Sequence, residues 1–232
     1  MRKLFVAGCS FSDFTKVSKV YGQFLAEKLG YEYVHEGAGC GSNWRIWRTI
    51  TKHVMSGNLT PDDLLVVQYT GRERQEFFSS LDKPSITYRP NSLTYLKVFD
   101  TVNNGNIIRY KAQAQDWQHN KEERDFFGLY EKYFLDAEFA REQFVTQNYL
   151  FQKMLLSNRI NVIFIRSFRC PPLLESDVLP EYLPIFREPF FSTELHKYNL
   201  EPDDYGHMNQ LGHEIFAEWL FTHINNNNKD KT

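Results

Sequence analysis

Three short runs of nearly unbroken apolar character limit what this chain can fold into: LFVAG at 4–8, DLLVVQY at 63–69 and RINVIFIRSF at 159–168. Each is too short for a buried helix and ends in turn-forming or polar residues, so each reads as a strand covered on both faces. Strands of that kind belong to parallel sheets, and the segments between them supply the covering helices. SKVYGQFLAEKLG at 18–30 carries Val20, Phe24, Leu25 and Leu29 at helical spacing, with Ser18 expected as its cap and Gly30 as its stop. YEYVHEGAGCGS at 31–42 reads as a second strand entering a glycine-rich turn. NWRIWRTITKHVMS at 43–56 reads as an amphipathic helix with Trp44, Ile46, Trp47 and Ile50 among its apolar residues. A helix over FAREQFVTQNYLFQKMLLS, at 139–157, precedes the last strong strand. NQLGHEIFAEWLFTHI at 209–224 closes the chain as a helix with Leu211, Ile215, Trp219 and Leu220 on or near one face, and the tail NNNNKDKT is expected to fray. Alternating strand and helix predict an α/β domain with parallel strands and right-handed crossovers.

A length of 232 residues suits one such domain, 1–232, with a sizeable core. The stretch from 76 to 136 breaks the rhythm, mixing aromatic and turn-like pieces before the charged HNKEERDFF. Two readings stand for it: an aromatic-rich insertion packed over one side of the domain, or an extension of the sheet edge. A net charge of -2 argues against a broad nucleic-acid footprint. No apolar run reaches the length of a membrane span. The start MRKLFVAGCSFSDF has a basic end, but its apolar stretch is too short for a signal peptide, so a cytoplasmic location is expected. Cys9, Cys40 and Cys170 form an odd set without a CxxC pair, which fits a reducing compartment and gives neither a disulfide framework nor a metal site. Neither metal nor cofactor is expected.

In an open parallel sheet, ligands sit where the carboxyl ends of strands meet loops. GCSFSD, GAGCGSN, YTGRER and RSFRCPP each follow a predicted strand and would share one rim, and EPDDYGHMNQLGH would bring Asp204 and His207 to it. Acyl transfer needs a nucleophile, a base and a group that orients the base. Ser10 after Gly8 is the candidate nucleophile, His207 the base and Asp204 the orienting carboxylate, with Asp203 beside it as the one ambiguity. Backbone N–H groups of Ser10 and Gly41 would serve a developing oxyanion. Singly these features are weak: a Ser after Gly is commonly a turn residue, and a DxxH is as readily a cap with a surface histidine. GAGCGS also resembles half of a phosphate-cradling fingerprint, though it follows the second strand and completes no GxGxxG.

In this order, and near the two ends of the chain, the blocks resemble those of the SGNH/GDSL hydrolases. VAGCSFSD is similar to the first block, with Cys9 where Asp is common. EGAGCGSN resembles the second and puts Gly41 at the oxyanion glycine, and DDYGHMNQLGH resembles the terminal DxxH block. The resemblance implies a three-layer, flavodoxin-like fold around a central parallel sheet. It also implies a serine esterase acting through Ser10, Asp204 and His207 on a small or carbohydrate-linked ester. An acyltransferase, or a binding module on the same fold with little turnover, is the alternative. The third block departs from the family pattern: QYTGRER puts Glu73 where an asparagine donor is expected, and a carboxylate cannot donate. Asn43, Thr70 and Arg74 are the candidate substitutes, with Asn43 either a donor or simply a helix cap. Arg166 and Arg169 are candidates for holding an anionic substrate. His213 is expected to pack or cap on the last helix.

Overall fold

Parallel pairing follows from the unbroken apolar runs, and the backbone adopts it. A computed structural model describes residues 1–9, 12, 17–37, 42–70, 75–77, 86–88, 125, 129, 133, 137–166, 178–181, 186–187 and 208–229. Its strands are β1 (Lys3–Gly8), β2 (Glu32–Gly37), β3 (Leu64–Tyr69), β4 (Gln75–Phe77), β5 (Ile86–Tyr88), β6 (Asn161–Arg166) and β7 (Phe186–Arg187). Five of them form one sheet in the order β2-β1-β3-β6-β7, with every neighbouring pair parallel. Gly8 stands opposite Gly37, and Tyr69 opposite Arg166, so the loops after these four strands do leave from one rim.

Helices α1 (Tyr21–Leu29), α2 (Asn43–Met55), α3 (Ala137–Ser157) and α4 (Gln210–Lys229) make the outer layers. Alternate strand residues separate two cores. Phe5, Ala7, Leu65, Val67, Val162 and Phe164 point toward Ile46, Trp47 and Ile50 of α2 and Phe144, Phe151 and Leu155 of α3. Leu4, Val6, Val66, Ile163 and Ile165 face Tyr21, Leu25 and Ala26 of α1 and Phe216, Ala217 and Leu220 of α4. The layering follows from winding. The chain steps from β1 to β2 in one direction and from β2 over β1 to β3 in the other. Right-handed crossovers in opposite directions must lie on opposite faces, as α1 and α2 do. The reversal opens a crevice at the carboxyl ends of β1 and β3, the switch point at which such sheets bind ligands.

Several local expectations are corrected. Ser18 does not cap α1: the N-cap is Val20, which makes no side-chain capping bond, and the Ser18 hydroxyl donates to Gln210 Oε1 instead. Gly30 does end the helix, at φ 69°. Leu211 is 52% exposed, because α4 buries the side that carries Phe216, Ala217 and Leu220. The tail does not fray at Asn225, since α4 continues to Lys229. The two-residue β7, paired with β6, was not anticipated. Within and just before the 76–136 stretch, β4 and β5 form their own antiparallel ladder, from Gln75 opposite Tyr88 to Phe77 opposite Ile86, apart from the five-stranded sheet. Apart from residues 125, 129 and 133, the rest of 76–136 lies outside the described residues. No helix among the described residues is long and apolar enough to cross a membrane.

At the opposite end of the sheet, Asp63 ties β1 to β3. Its carboxylate accepts from the Lys3 N–H at 2.8 Å, the Thr60 N–H at 2.9 Å and the Thr60 hydroxyl at 2.8 Å. Burial alone would raise its pKa. The Thr60 and Lys3 donors, with the Lys3 charge, outweigh burial and hold it below the ordinary carboxylate range. A depressed folded pKa contributes stability above the unfolded value, and that contribution is lost as pH falls through the folded one. Asp63→Asn should therefore be less stable than the parent near neutral pH, and the gap should narrow below about pH 4. Urea unfolding at a series of pH values checks this, and a gap unchanged down to about pH 2 would contradict it.

Candidate active site

The chain leaving β1 turns back at once. Cys9 is fully buried, and its carbonyl accepts from the Ser12 N–H at 2.8 Å. Ser12 is fully buried as well, and two glycines make room for it. A Cβ on Gly8 would collide with Ser12 Oγ and come within 2.9 Å of Gln68 Cβ. A Cβ on Gly37 would sit 2.7 Å from the Ser12 carbonyl oxygen. Seated across the ends of β1 and β2, Ser12 donates its hydroxyl proton to Gln68 Oε1 and lies 3.0 Å from the Tyr21 hydroxyl. The Tyr21 hydroxyl also donates to Gln68 Oε1 at 3.5 Å, so the three side chains form one buried network. Burial pushes the Tyr21 phenol well above its ordinary range, only partly offset by the Ser12 hydrogen bond, and it remains a protonated donor. Neither the Cys9 thiol nor the Ser12 hydroxyl is open to a substrate in this arrangement.

The exit of β3 is fixed from α2. Asn43 Nδ2 donates to the Thr70 carbonyl at 2.9 Å, and Asn43 Oδ1 accepts from the Thr70 N–H at 3.0 Å. One amide thus brackets both backbone groups of one residue. Of the two readings of Asn43, the helix cap is ruled out: the cap is Ser42, whose hydroxyl accepts from the Arg45 N–H at 3.1 Å. The Asn43 amide is instead engaged with Thr70 through both of its polar atoms. Two other polar atoms at this rim, Gln68 Nε2 and Thr70 Oγ1, are buried and have no hydrogen-bond partner among the described residues.

A second amide bracket holds the start of α4 against the start of α1. Gln210 Nε2 donates to the Lys19 carbonyl at 2.8 Å, while Gln210 Oε1 accepts from the Lys19 N–H at 3.3 Å and the Ser18 hydroxyl at 3.0 Å. One turn along, the buried His213 Nδ1 accepts from the Tyr21 N–H at 3.1 Å, which puts the ring proton on Nε2. His213 therefore packs as expected and supplies the capping acceptor that Val20 cannot. Asn209 Oδ1 accepts from the Gly212 N–H at 2.9 Å and caps α4, and Met208 is buried.

Of the residues singled out in the sequence, Ser10, Gly41, Arg74, Arg169, Asp203, Asp204 and His207 lie outside the described residues, as does Glu73. Their described neighbours are Cys9 and Ser12 around Ser10, Ser42 after Gly41, and Met208 after His207. Arg166 ends β6 in register with Tyr69. Gln68, Ser12 and Tyr21 were not singled out as site residues. Gln68 had a visible signal, being the one amide inside an otherwise apolar strand. Among the described residues, no group of three or more His, Cys, Asp or Glu is placed to hold a metal ion.

Neither a family model nor a curated protein matches the sequence. Solved structures do. A lipase, Lip_vut3, from a goat rumen metagenome aligns with a TM-score of 0.51 at 10% identity, over 96% of this chain and 97% of that one. A structure described as a lipolytic protein of the G-D-S-L family from Desulfitobacterium hafniense DCB-2 aligns over 96% of this chain and 99% of that one, at 9% identity and a TM-score of 0.43. At such identities the likeness bears on the fold. The Lip_vut3 likeness agrees with the α/β layering and parallel strand order described above.

The amide bracket gives a direct test. Asn43→Ala leaves the Thr70 N–H and C=O without their partner, and a buried group so orphaned costs about 1–3 kcal/mol. The variant should lose stability on that scale in urea unfolding. A loss below about 0.5 kcal/mol, the level of an ordinary surface change, would show that the bracket carries little.

Proposed function

We propose that the chain is a serine-dependent ester hydrolase, with Ser10 as nucleophile, His207 as general base and Asp204 as the carboxylate that orients it. The observation that carries this reading is convergence. The residues flanking Ser10 lie at the switch point of a parallel sheet, and Tyr21 joins Ser12 there to the start of α4, just after the DxxH block. Ser12 and His213, described residues near Ser10 and His207 in sequence, are thereby linked through Tyr21 at the start of α1, which supports the reading. The structure of like fold is named a lipase, and an ester is the bond class that name suggests here.

On this reading the Ser10 oxygen attacks the ester carbonyl carbon as His207 takes its proton. Asp204 holds the imidazole in the useful tautomer and stabilises its charged form. Collapse of the tetrahedral intermediate expels the alcohol, which His207 protonates, and water repeats the cycle on the acyl-enzyme. The oxyanion is served by the Ser10 and Gly41 N–H groups and, in place of the missing third-block asparagine, by the Thr70 hydroxyl. Thr70 is the better candidate than Asn43 because its backbone is held on both sides while its hydroxyl has no partner among the described residues. Catalytic hydrogen bonds of this kind commonly tighten only once substrate is bound. The substrate is a small or carbohydrate-linked ester, and Arg166, Arg169 and Arg74 are the cations proposed to meet an anionic group on it.

A fluorophosphonate probe, with mapping of the modified residue, tests the nucleophile: label on Ser10, lost in Ser10→Ala along with hydrolysis of an activated acetyl ester, is the expected result. Label on Cys9 or Ser12 would overturn the assignment. Asp204→Asn should cost far more activity than Asp203→Asn, and equal losses would remove Asp204 from its role.

Thr70→Val deletes only the hydroxyl while keeping the side chain's shape. It should leave stability almost unchanged and lower kcat about a hundred- to a thousandfold, the usual effect of losing one oxyanion donor. A kcat within threefold of the parent, roughly 0.7 kcal/mol in barrier height, would exclude Thr70 and leave Arg74.

A further inference from the structure

A nucleophile two residues from a buried serine inherits that serine's position. We infer that the Tyr21 hydroxyl, through Ser12 and Gln68, is a positioning device that sets the nucleophile turn relative to the terminal base block; the inference rests on the triad reading above. Ser12 is held from three directions: by its N–H to Cys9 O, by its hydroxyl to Gln68 Oε1 on β3, and by the Tyr21 hydroxyl on α1. A Cβ at Gly8 or Gly37 would collide with it. Tyr21 in turn is fixed at both ends. Its ring stacks on His213 with centroids 6.1 Å apart and packs edge-on against Phe216 at 4.9 Å, and its N–H donates to His213 Nδ1. One residue therefore touches the turn after β1 with its hydroxyl and the first turns of α4 with its ring and its N–H. A shift of α4 would be carried to Ser12 through a rigid aromatic ring.

The Ser12, Gln68 and Tyr21 side chains are fully buried, so on the triad reading they act through Ser10 and not on substrate. Misplacing a nucleophile by about 1 Å costs on the order of a hundredfold in rate. A scaffold that served stability alone would change the unfolding midpoint and leave the turnover of the folded fraction intact.

The test is Tyr21→Phe and Ser12→Ala, singly and together, with kcat and KM on an activated acetyl ester and the rate of fluorophosphonate labelling, all normalised to folded protein. Tyr21→Phe keeps the ring contacts and the backbone N–H and removes the hydroxyl alone. It should lower kcat and the labelling rate by about tenfold or more, with KM within about twofold. Because both changes break one shared bond, the double variant should fall no further than Ser12→Ala alone. Losses that multiply independently, or a Tyr21→Phe protein that turns over and labels at the parent rate, would overturn the positioning role. Ser12→Ala gives the same kcat reading should Tyr21→Phe not fold. A parent protein that the probe does not label at Ser10 would end the triad reading, and this inference with it. Parent labelling at Ser10 with unchanged variants would end this inference alone.

Discussion

Polar groups buried at the carboxyl ends of β1 and β3 are the constraint that the rest of the molecule answers to. Ser12 and Gln68 are fully buried, and Asn43 and Thr70 are 2% exposed, in a sheet whose two faces are covered by helices. Water cannot satisfy such groups, and each one left without a partner costs about 1–3 kcal/mol. Their partners must come from the layers above and below. Tyr21 comes from α1 and Asn43 from the first residue of α2, while Gln210 and His213 in the first turns of α4 hold Lys19 and Tyr21 in turn. The apolar cores hold the helices against the sheet without fixing where along it they stop, since hydrophobic contact is non-directional. The hydrogen bonds supply that missing coordinate.

The two amide brackets show how this is done. Asn43 and Gln210 each open a helix, and each uses one side-chain amide to engage both the N–H and the C=O of a single residue on another segment, Thr70 and Lys19. A single hydrogen bond tolerates some sliding. A donor and an acceptor on one planar group, matched to the two backbone groups of one residue, tolerate little. The start of α2 is thereby fixed to the exit of β3, and the start of α4 to the approach to α1.

Strands and helices were legible in the sequence because their signals are local. Unbroken apolar runs read as β1, β3 and β6, and spaced apolar residues as the helices, with Gly30 marking an end at φ 69°. What was missed depends on partners far along the chain. Ser18 has the right residue type for a cap, but its hydroxyl is drawn to Gln210, and the acceptor for the Tyr21 N–H arrives from His213. Asn43 and Ser42 are equally good caps by type, and the choice turns on Thr70, which the sequence places 27 residues on. Leu211 fits the helical spacing but faces outward, since the buried side of α4 is chosen by β1, β3 and β6. β7 has no apolar run of its own and is defined by the free edge of β6. For the site, the loops and their shared rim were readable from parallel topology. The buried network beneath them was not, although Gln68 in LLVVQY advertised it: an amide in a strand buried on both faces must have partners.

The same accounting separates scaffold from chemistry at the rim. Ser12, Tyr21, Asn43 and His213 all make hydrogen bonds that hold elements together, and spending any of them on substrate would loosen the seat or a bracket. Gln68 Nε2 and Thr70 Oγ1 are the two rim groups buried without a partner among the described residues. Gln68 is already engaged through Oε1, and moving its amide toward a ligand would release Ser12. Thr70 differs. Its backbone is bracketed, so its hydroxyl can rotate toward a developing charge without disturbing anything that supports the turn after β1. A helix-borne amide that steadies β3 and a threonine that donates from it would divide between two residues what a single asparagine does in the pattern this sequence departs from. On the proposed reading, that division would let Glu73 stand in the third block without removing the means to stabilise an oxyanion.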